Sequence, residues 1–240
     1  MNKILVIIPT YNEADNILKI IPEVFKNSTP DNEYNILVVD DNSPDGTAKL
    51  VEELNGSHIN ILKREKKSGL GTAYVAGFKY AIENNYDFVF EMDADFSHDP
   101  KYLKIFIEKI LEGYDLVIGS RYVNGVSVLN WPIRRLILSY MASVYTRMIT
   151  GLKVMDTTAG FMCYKVASLK QINLEELKSN GYSFQIEMKF KFYKKGFKII
   201  EVPILFIDRL EGESKMSRKV VCEAYIMVWK LKFKSMFGKL

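Results

Sequence analysis

Hydrophobic positions along the first half of the chain gather into five short apolar runs, at residues 4–9, 36–39, 59–62, 88–92 and 116–118. Runs of this length suit strands buried on both faces, as in a parallel sheet. Between them lie segments with helical spacing, notably 16–25, 47–54, 72–83 and 102–111. The alternation predicts an α/β fold, a Rossmann-like doubly wound sheet. The second half is less regular. A helix is expected over 133–150, a glycine-containing stretch over 156–161, a helix over 184–194, a strand over 198–207 and a last helix from near Ser217.

In doubly wound sheets, ligands bind beyond the carboxyl ends of the strands. Polar residues collect there in this chain. The first run ends in Pro9-Thr10-Tyr11-Asn12-Glu13 and the second in Asp40-Asp41-Asn42-Ser43-Pro44-Asp45-Gly46. The fourth ends in Asp93-Ala94-Asp95 and the fifth in Gly119-Ser120-Arg121. One rim of the sheet thus gathers five aspartates, a glutamate and an arginine.

Two carboxylates one residue apart can approach one hard divalent cation if the chain turns after the strand. Mg²⁺ and Mn²⁺ take oxygen ligands and share them between carboxylates and substrate phosphates. Read alone, an Asp-x-Asp also fits helix capping, with Ser97 or Asp99 capping a helix that starts at Pro100. Residues 41–52 carry Asp41, Ser43, Asp45, Gly46 and Glu52 at the calcium-loop positions of an EF-hand, but the entering side reads as a strand rather than the required helix. The same segment reads as a Pro-Asp-Gly turn. Gly69-Leu70-Gly71 lacks a Walker lysine–serine pair and reads as a loop before a helix.

Composition narrows the partners. With 240 residues, 48% of them hydrophobic, the chain can build one large domain. Its two cysteines have no metal-ligand spacing. A net charge of +4, spread along the chain, gives no footprint for nucleic acid. No segment reaches the roughly 20 apolar residues of a membrane span. The chain opens on a strand-like run rather than a signal peptide. The chain is not expected to span a membrane by itself.

The residues at 8–13, 40–47, 92–98, 119–122, 130–135, 158–161 and 211–215 together resemble the family-2 inverting glycosyltransferases of GT-A fold. More narrowly, they are similar to the polyprenyl-phosphate (dolichyl-phosphate) mannose synthases. The resemblance implies transfer of mannose from GDP-mannose to a polyprenyl phosphate, and with it a peripheral place on the cytoplasmic face of a membrane. Carried over, it implies that Pro9, Tyr11, Glu13, Val39 and Asp41 contact the nucleoside. Asp93, Ala94 and Asp95 would face the diphosphate and a Mg²⁺ or Mn²⁺ ion held by the two aspartates. Ser97 would stand beside them where some relatives carry Gln. Arg121, Arg135, Ser139 and Arg209 would hold the acceptor phosphate, with Lys215 nearby and Arg134 an equal neighbour of Arg135. Asp95, Arg121 and Arg209 are the candidate catalytic residues. The shared motifs leave UDP-glucose open as the donor, and a non-catalytic nucleotide-sugar-binding subunit is the reading from another class.

A lipid acceptor requires contact with a membrane surface. In the last helix Ile226, Trp229, Phe233, Met236, Phe237 and Leu240 share one face, flanked by lysines. Such a helix can lie in the bilayer interface or pack against the core. The expected division is a catalytic domain over 1–215, including an interfacial helix within 131–150, and an amphipathic anchor over 216–240. Small membrane-anchoring subunits are possible further partners.

Overall fold

The computed structural model describes residues 1–177, 179–207 and 218–237, with the side chains of 218–224 left aside. Its strands are β1 (Asn2–Thr10), β2 (Asn32–Asp40), β3 (Ile59–Lys63), β4 (Phe88–Glu91), β5 (Leu116–Ser120), β6 (Val128–Leu129), β7 (Met162–Lys165), β8 (Ile199–Pro203) and β9 (Phe206–Ile207). Its helices are α1 (Ala14–Phe25), α2 (Thr47–Glu53), α3 (Leu70–Glu83), α4 (Leu103–Leu111), α5 (Ile133–Thr150), α6 (Val166–Leu169), α7 (Gly181–Lys194) and α8 (Arg218–Met236).

Seven strands form the main sheet in the order β3-β2-β1-β4-β7-β5-β8, while β6 and β9 pair separately. All five strands predicted in the first half are present. Their side chains alternate between two cores, because successive residues of a strand face opposite sides of the sheet. Ile4, Val6 and Ile8 pack on one side with Ile17 and Ile20 of α1 and Phe106 of α4. Leu5 and Ile7 pack on the other with Tyr74 and Phe78 of α3 and Phe184 of α7. Helix α3 lies so close to β1 that a Cβ at Gly77 would overlap the Ile7 side chain.

One strand was not foreseen, and one expected strand needed correction. The sheet is mixed, because β7 runs antiparallel between β4 and β5. Its four residues are too few to carry a period, and no crossover helix announces them. The strand expected over 198–207 is broken in two. After Pro203 the Ile204 N–H donates to the Ser120 carbonyl (3.0 Å) and the Leu205 N–H to the Tyr102 hydroxyl (2.9 Å). The chain then joins β6 instead of continuing in the main sheet.

Candidate active site

The polar rim is built by the strand ends. On the β1–β2 side, the Asp40 carboxylate accepts hydrogen bonds from the Thr10 hydroxyl (2.8 Å) and from the Ser43 N–H (2.9 Å) and hydroxyl (2.6 Å). Asp45 accepts from the N–H groups of Ala14 and Thr47 and from the Thr47 hydroxyl. Desolvation opposes its charge, but these hydrogen bonds outweigh it and lower its pKa. Glu13 accepts from the Asn16 amide, and its own N–H donates to the Thr47 hydroxyl. The two loops are thereby stitched into one wall, with Pro9 half-buried on it and Tyr11 exposed beneath the Lys67 ammonium, 3.8 Å from the ring centre.

Asp41 is buried and paired with Arg64, whose guanidinium also donates to the Thr72 hydroxyl (2.7 Å) and the Gly69 carbonyl (3.3 Å). One arginine thus ties the end of β2 to the loop before α3. Sequence reasoning passed over Arg64, whose signal is its place just after β3. The Val39 side chain is wholly buried in the core, and its backbone lies in the ladder between β1 and β3. Only main-chain atoms of this residue border the rim.

Beyond β4 the chain turns sharply at Phe96, which takes a left-handed φ of 60°. This turn brings Asp93 and Asp95 to the rim, both half-buried, with Ala94 buried between them. Asp95 accepts from the Ser97 N–H (3.1 Å) and hydroxyl (2.6 Å), so Ser97 orients this carboxylate. The Tyr74 hydroxyl lies 3.4 Å from Asp93. Asp99 caps the next turn by accepting from the Lys101 N–H. Among the described residues, no group of three or more His, Cys, Asp or Glu side chains could hold a metal by itself. Two aspartate carboxylates nevertheless suit a hard cation that completes its shell with substrate phosphates.

His98 takes a structural place beside the aspartate pair. Its Nδ1 accepts the Asp93 N–H (3.0 Å), so a neutral ring carries its proton on Nε2. Burial lowers the His98 pKa and keeps the ring neutral, although the nearby aspartates act the other way. The ring stacks on Phe161 (5.0 Å between centroids) and meets Phe206 edge-on (5.9 Å).

Phe206 bridges to the second half of the site. Its ring lies 5.6 Å from the Arg121 guanidinium and 5.4 Å from the Trp131 ring. Arg121 is only 5% exposed and grips Asp156 through Nε (2.7 Å), Nη2 (2.6 Å) and its backbone N–H (3.0 Å). It also donates to the Thr158 hydroxyl. Desolvation opposes ionisation of Asp156, yet the adjacent guanidinium wins and lowers its pKa. The loop carrying Asp156 is itself held, because Glu201 accepts the N–H groups of Met155 (2.6 Å) and Asp156 (2.9 Å). Arg121 therefore enters the site with its charge already matched. Ser139 is buried and accepts from the Tyr122 hydroxyl (2.8 Å). Arg135 is half-buried, with its guanidinium carbon over the Trp131 ring, 4.2 Å from the ring centre. Arg209 and Lys215 lie outside the described residues.

Beneath both halves runs a buried polar layer. Glu91 accepts from the Tyr164 hydroxyl (2.7 Å) and the Gln185 amide (2.8 Å). Desolvation raises its pKa to about 7 against these bonds. The buried Lys189 ammonium donates to the Ala159 carbonyl (2.6 Å), and burial lowers its pKa to about 8.

The chain resembles known proteins in sequence and in fold. Residues 5–172 match the family model described as glycosyl transferase family 2. The chain is 44% identical over 227 residues to the polyprenol monophosphomannose synthase of Mycolicibacterium smegmatis, covering 93% of this chain and 84% of the relative. It is 42% identical over 228 residues to the undecaprenyl-phosphate mannosyltransferase of Micrococcus luteus, covering 94% and 92%. Among solved structures, a glucosyl-3-phosphoglycerate synthase from Mycobacterium tuberculosis matches with a TM-score of 0.69 at 17% identity, over 95% of this chain and 80% of that one. That neighbour was crystallised with Mn²⁺, UDP-glucose and phosphoglyceric acid, and in another crystal with Mg²⁺ and UDP. At that identity the likeness is one of fold, the GT-A architecture. The chain belongs to glycosyl transferase family 2.

Proposed function

We infer that the protein transfers mannose from GDP-mannose to a polyprenyl (dolichyl) phosphate with inversion at the anomeric carbon. One observation carries this reading beyond the relatives' names: an aspartate pair and an arginine lying over Trp131 are linked by contacts through His98 and Phe206. The first group suits a nucleotide diphosphate and the second a phosphate acceptor.

On the donor side, Tyr11, Glu13 and Asp41 border the nucleoside, with the Pro9 and Val39 backbone behind them. Asp93 and Asp95 would hold Mg²⁺ or Mn²⁺, which when bound neutralises charge developing on the leaving diphosphate. Ser97 aims Asp95, and the His98 ring anchors the Asp93 backbone. On the acceptor side, a phosphomonoester is already anionic at neutral pH, its second pKa being about 6, so no protein base has to create the nucleophile. The chain's task is to bring a phosphate oxygen in line with the anomeric carbon. Arg135 binds that phosphate as a guanidinium suited to planar, two-point contact, with Ser139, Arg209 and Lys215 assigned to the same subsite. Arg121, neutralised by Asp156, builds the floor on which Trp131 rests. The bond to the diphosphate breaks as the phosphate oxygen attacks from the opposite face, giving a β-linked product.

Contact with a membrane belongs to the same reading. No helix among the described residues is long and apolar enough to cross a bilayer. However, α5 exposes Ile133, Ile137, Leu138 and Met141, α8 exposes Ile226, Trp229, Phe233 and Met236, and Phe237 just beyond it is exposed too. The two helices touch through the stacked rings of Tyr145 and Tyr225, 4.8 Å apart. The opposite face of α8 packs on α7, burying Val228 and Leu231 with Ile186 and Phe190. The apolar face thus remains uncovered, and its extent fits a bilayer interface beside the acceptor subsite.

The test supplies polyprenyl phosphate, Mg²⁺ or Mn²⁺, and either GDP-mannose or UDP-glucose. Chloroform-extractable sugar from GDP-mannose alone is the expected result. Extractable sugar from UDP-glucose alone would replace mannose by glucose in the reading, and none from either donor would overturn it.

A further inference from the structure

We propose that a basic cleft at the C-terminal end of α7 is a second anion-binding site, taking the phosphate of an anionic phospholipid headgroup. It rests on the membrane contact read above for α8, not on the identity of donor or acceptor. The cleft holds about 350 Å³, within the range of small-ligand sites. Three segments wall it: Lys191, Lys194 and Lys195 from the end of α7, Asn173 and Glu176 from the chain after α6, and Ser235 from α8. Lys194 stands nine residues beyond Gln185, whose amide reaches Glu91 under the active site. At 1.5 Å per residue that is about 13 Å along the helix. The cleft thus occupies the end of α7 away from the polar layer.

Lysines are favoured in the last turn of any helix, so their number alone says little. Lys191 says more. It is only 6% exposed, and burying an ammonium is costly unless it is paired and hydrogen-bonded. Its ion-pair partner is Glu176 Oε2 at 3.6 Å, beyond hydrogen-bond reach, while Glu176 Oε1 accepts from the Asn173 amide at 2.9 Å. The pairing is therefore loose. Lys194 and Lys195 are exposed at the mouth, and among the described residues neither forms an ion pair, although Lys194 Nζ lies 5.5 Å from the Phe190 ring centre. Three ammonium groups thus face one carboxylate. An anion with several oxygens, entering there, gives Lys191 a charge-assisted hydrogen bond and leaves the Ser235 hydroxyl as a neutral donor. The neighbours on α8 select a lipid as its bearer. Met236 and Phe237 follow Ser235 directly and are exposed, as is Phe233. Apolar side chains at the acyl boundary with lysines at headgroup level are the arrangement of an interfacial helix.

The experiment measures co-sedimentation of the full chain with vesicles of phosphatidylcholine alone and of equal parts phosphatidylcholine and phosphatidylglycerol. The second kind should retain the native chain more strongly. Lys194→Gln with Lys195→Gln should lower the partition onto the anionic vesicles by about tenfold to thirtyfold, the scale of two lysines at an anionic surface. Retention on the neutral vesicles should not change. Lys19→Gln with Lys49→Gln removes the same charge from exposed positions of α1 and α2, which pack on the other side of the sheet, and should stay within about twofold. Glu176→Gln, which releases Lys191, should tighten anionic binding about threefold. Glu175→Gln makes the same charge change on a residue that pairs with Lys79 outside the cleft, and should not. All six positions are exposed, so urea midpoints should stay close to native.

Equal losses in the two lysine pairs, or equal gains in the two glutamate variants, would overturn the cleft in favour of diffuse charge. Inorganic phosphate at constant ionic strength separates the sources. If it binds by calorimetry while phosphatidylglycerol adds nothing to retention, the ligand is a free phosphate and the headgroup assignment is overturned. Neutral retention without an anionic increment defeats the cleft and spares the membrane reading of α8, and retention on neither vesicle defeats both.

Discussion

Arg121 and Arg135 look alike in the sequence, and the structure separates them. The first is buried and ion-paired with the buried Asp156, and the second is half-buried over an indole. Removing one partner of a buried ion pair strands the other charge and costs about 3–5 kcal/mol. Arg121→Ala should therefore lower the unfolding free energy by that amount, measured by urea denaturation, and lose activity with it. Arg135→Ala should shift stability by no more than about 1 kcal/mol, its loss appearing in the acceptor KM. Equal stability losses in the two variants would contradict this division. The roles were legible only in part. Both arginines stood out as candidates, but the pairing of Arg121 with Asp156 spans 35 residues and depends on a loop pinned by Glu201. No local spacing encodes such a contact. The Asp93 N–H bond to His98 is more local, yet a lone histidine after an Asp-x-Asp carries no pattern that would announce it.

At the scale of elements, β4 places Glu91 two residues before Asp93 and points it into the polar layer under the site. Its folded pKa of about 7 lies above the ordinary value of 4.5. Between those values the folded chain holds a proton that the unfolded chain has released. Linkage then requires this group's contribution to stability to be complete below the lower value and to be lost as pH rises through the upper one. Glu91→Gln keeps an acceptor for the Tyr164 hydroxyl and removes the titration. Denaturation midpoints measured without divalent metal at about pH 5 and about pH 8 should differ less in the variant than in the native chain. An undiminished difference would place the titration elsewhere. Elements were the most legible level. Strands buried on both faces announce themselves as apolar runs, and helices by their spacing. β7 escaped because four residues carry no period, and the 198–207 strand broke where a non-local bond from Leu205 to Tyr102 captures the backbone. That bond matters for function, since the chain it diverts delivers Phe206 to the joint between the two half-sites.

For the whole molecule, α5 and α8 touch at Tyr145 and Tyr225, and both expose apolar side chains. In the described part of α8, Val228 and Leu231 are buried against α7, while Trp229 and Phe233 are exposed. Replacing Trp229, Phe233 and Phe237 together by Ser should leave the urea midpoint nearly unchanged, because these side chains are exposed. Co-sedimentation with liposomes of mixed neutral and anionic lipid should fall sharply. Undiminished co-sedimentation would remove the bilayer from the account of this face.

The central claim is that the aspartate pair and the arginine over Trp131 serve one reaction. It is tested most directly by counting label moved from GDP-mannose into the organic phase with polyprenyl phosphate as acceptor, for the native chain and for Asp95→Ala. The account predicts metal-dependent, β-linked product from the native chain and a loss of about a hundredfold or more in the variant, the scale of removing a group that stabilises transition-state charge. Full transfer by Asp95→Ala, or no transfer by the native chain in the presence of metal, would contradict it.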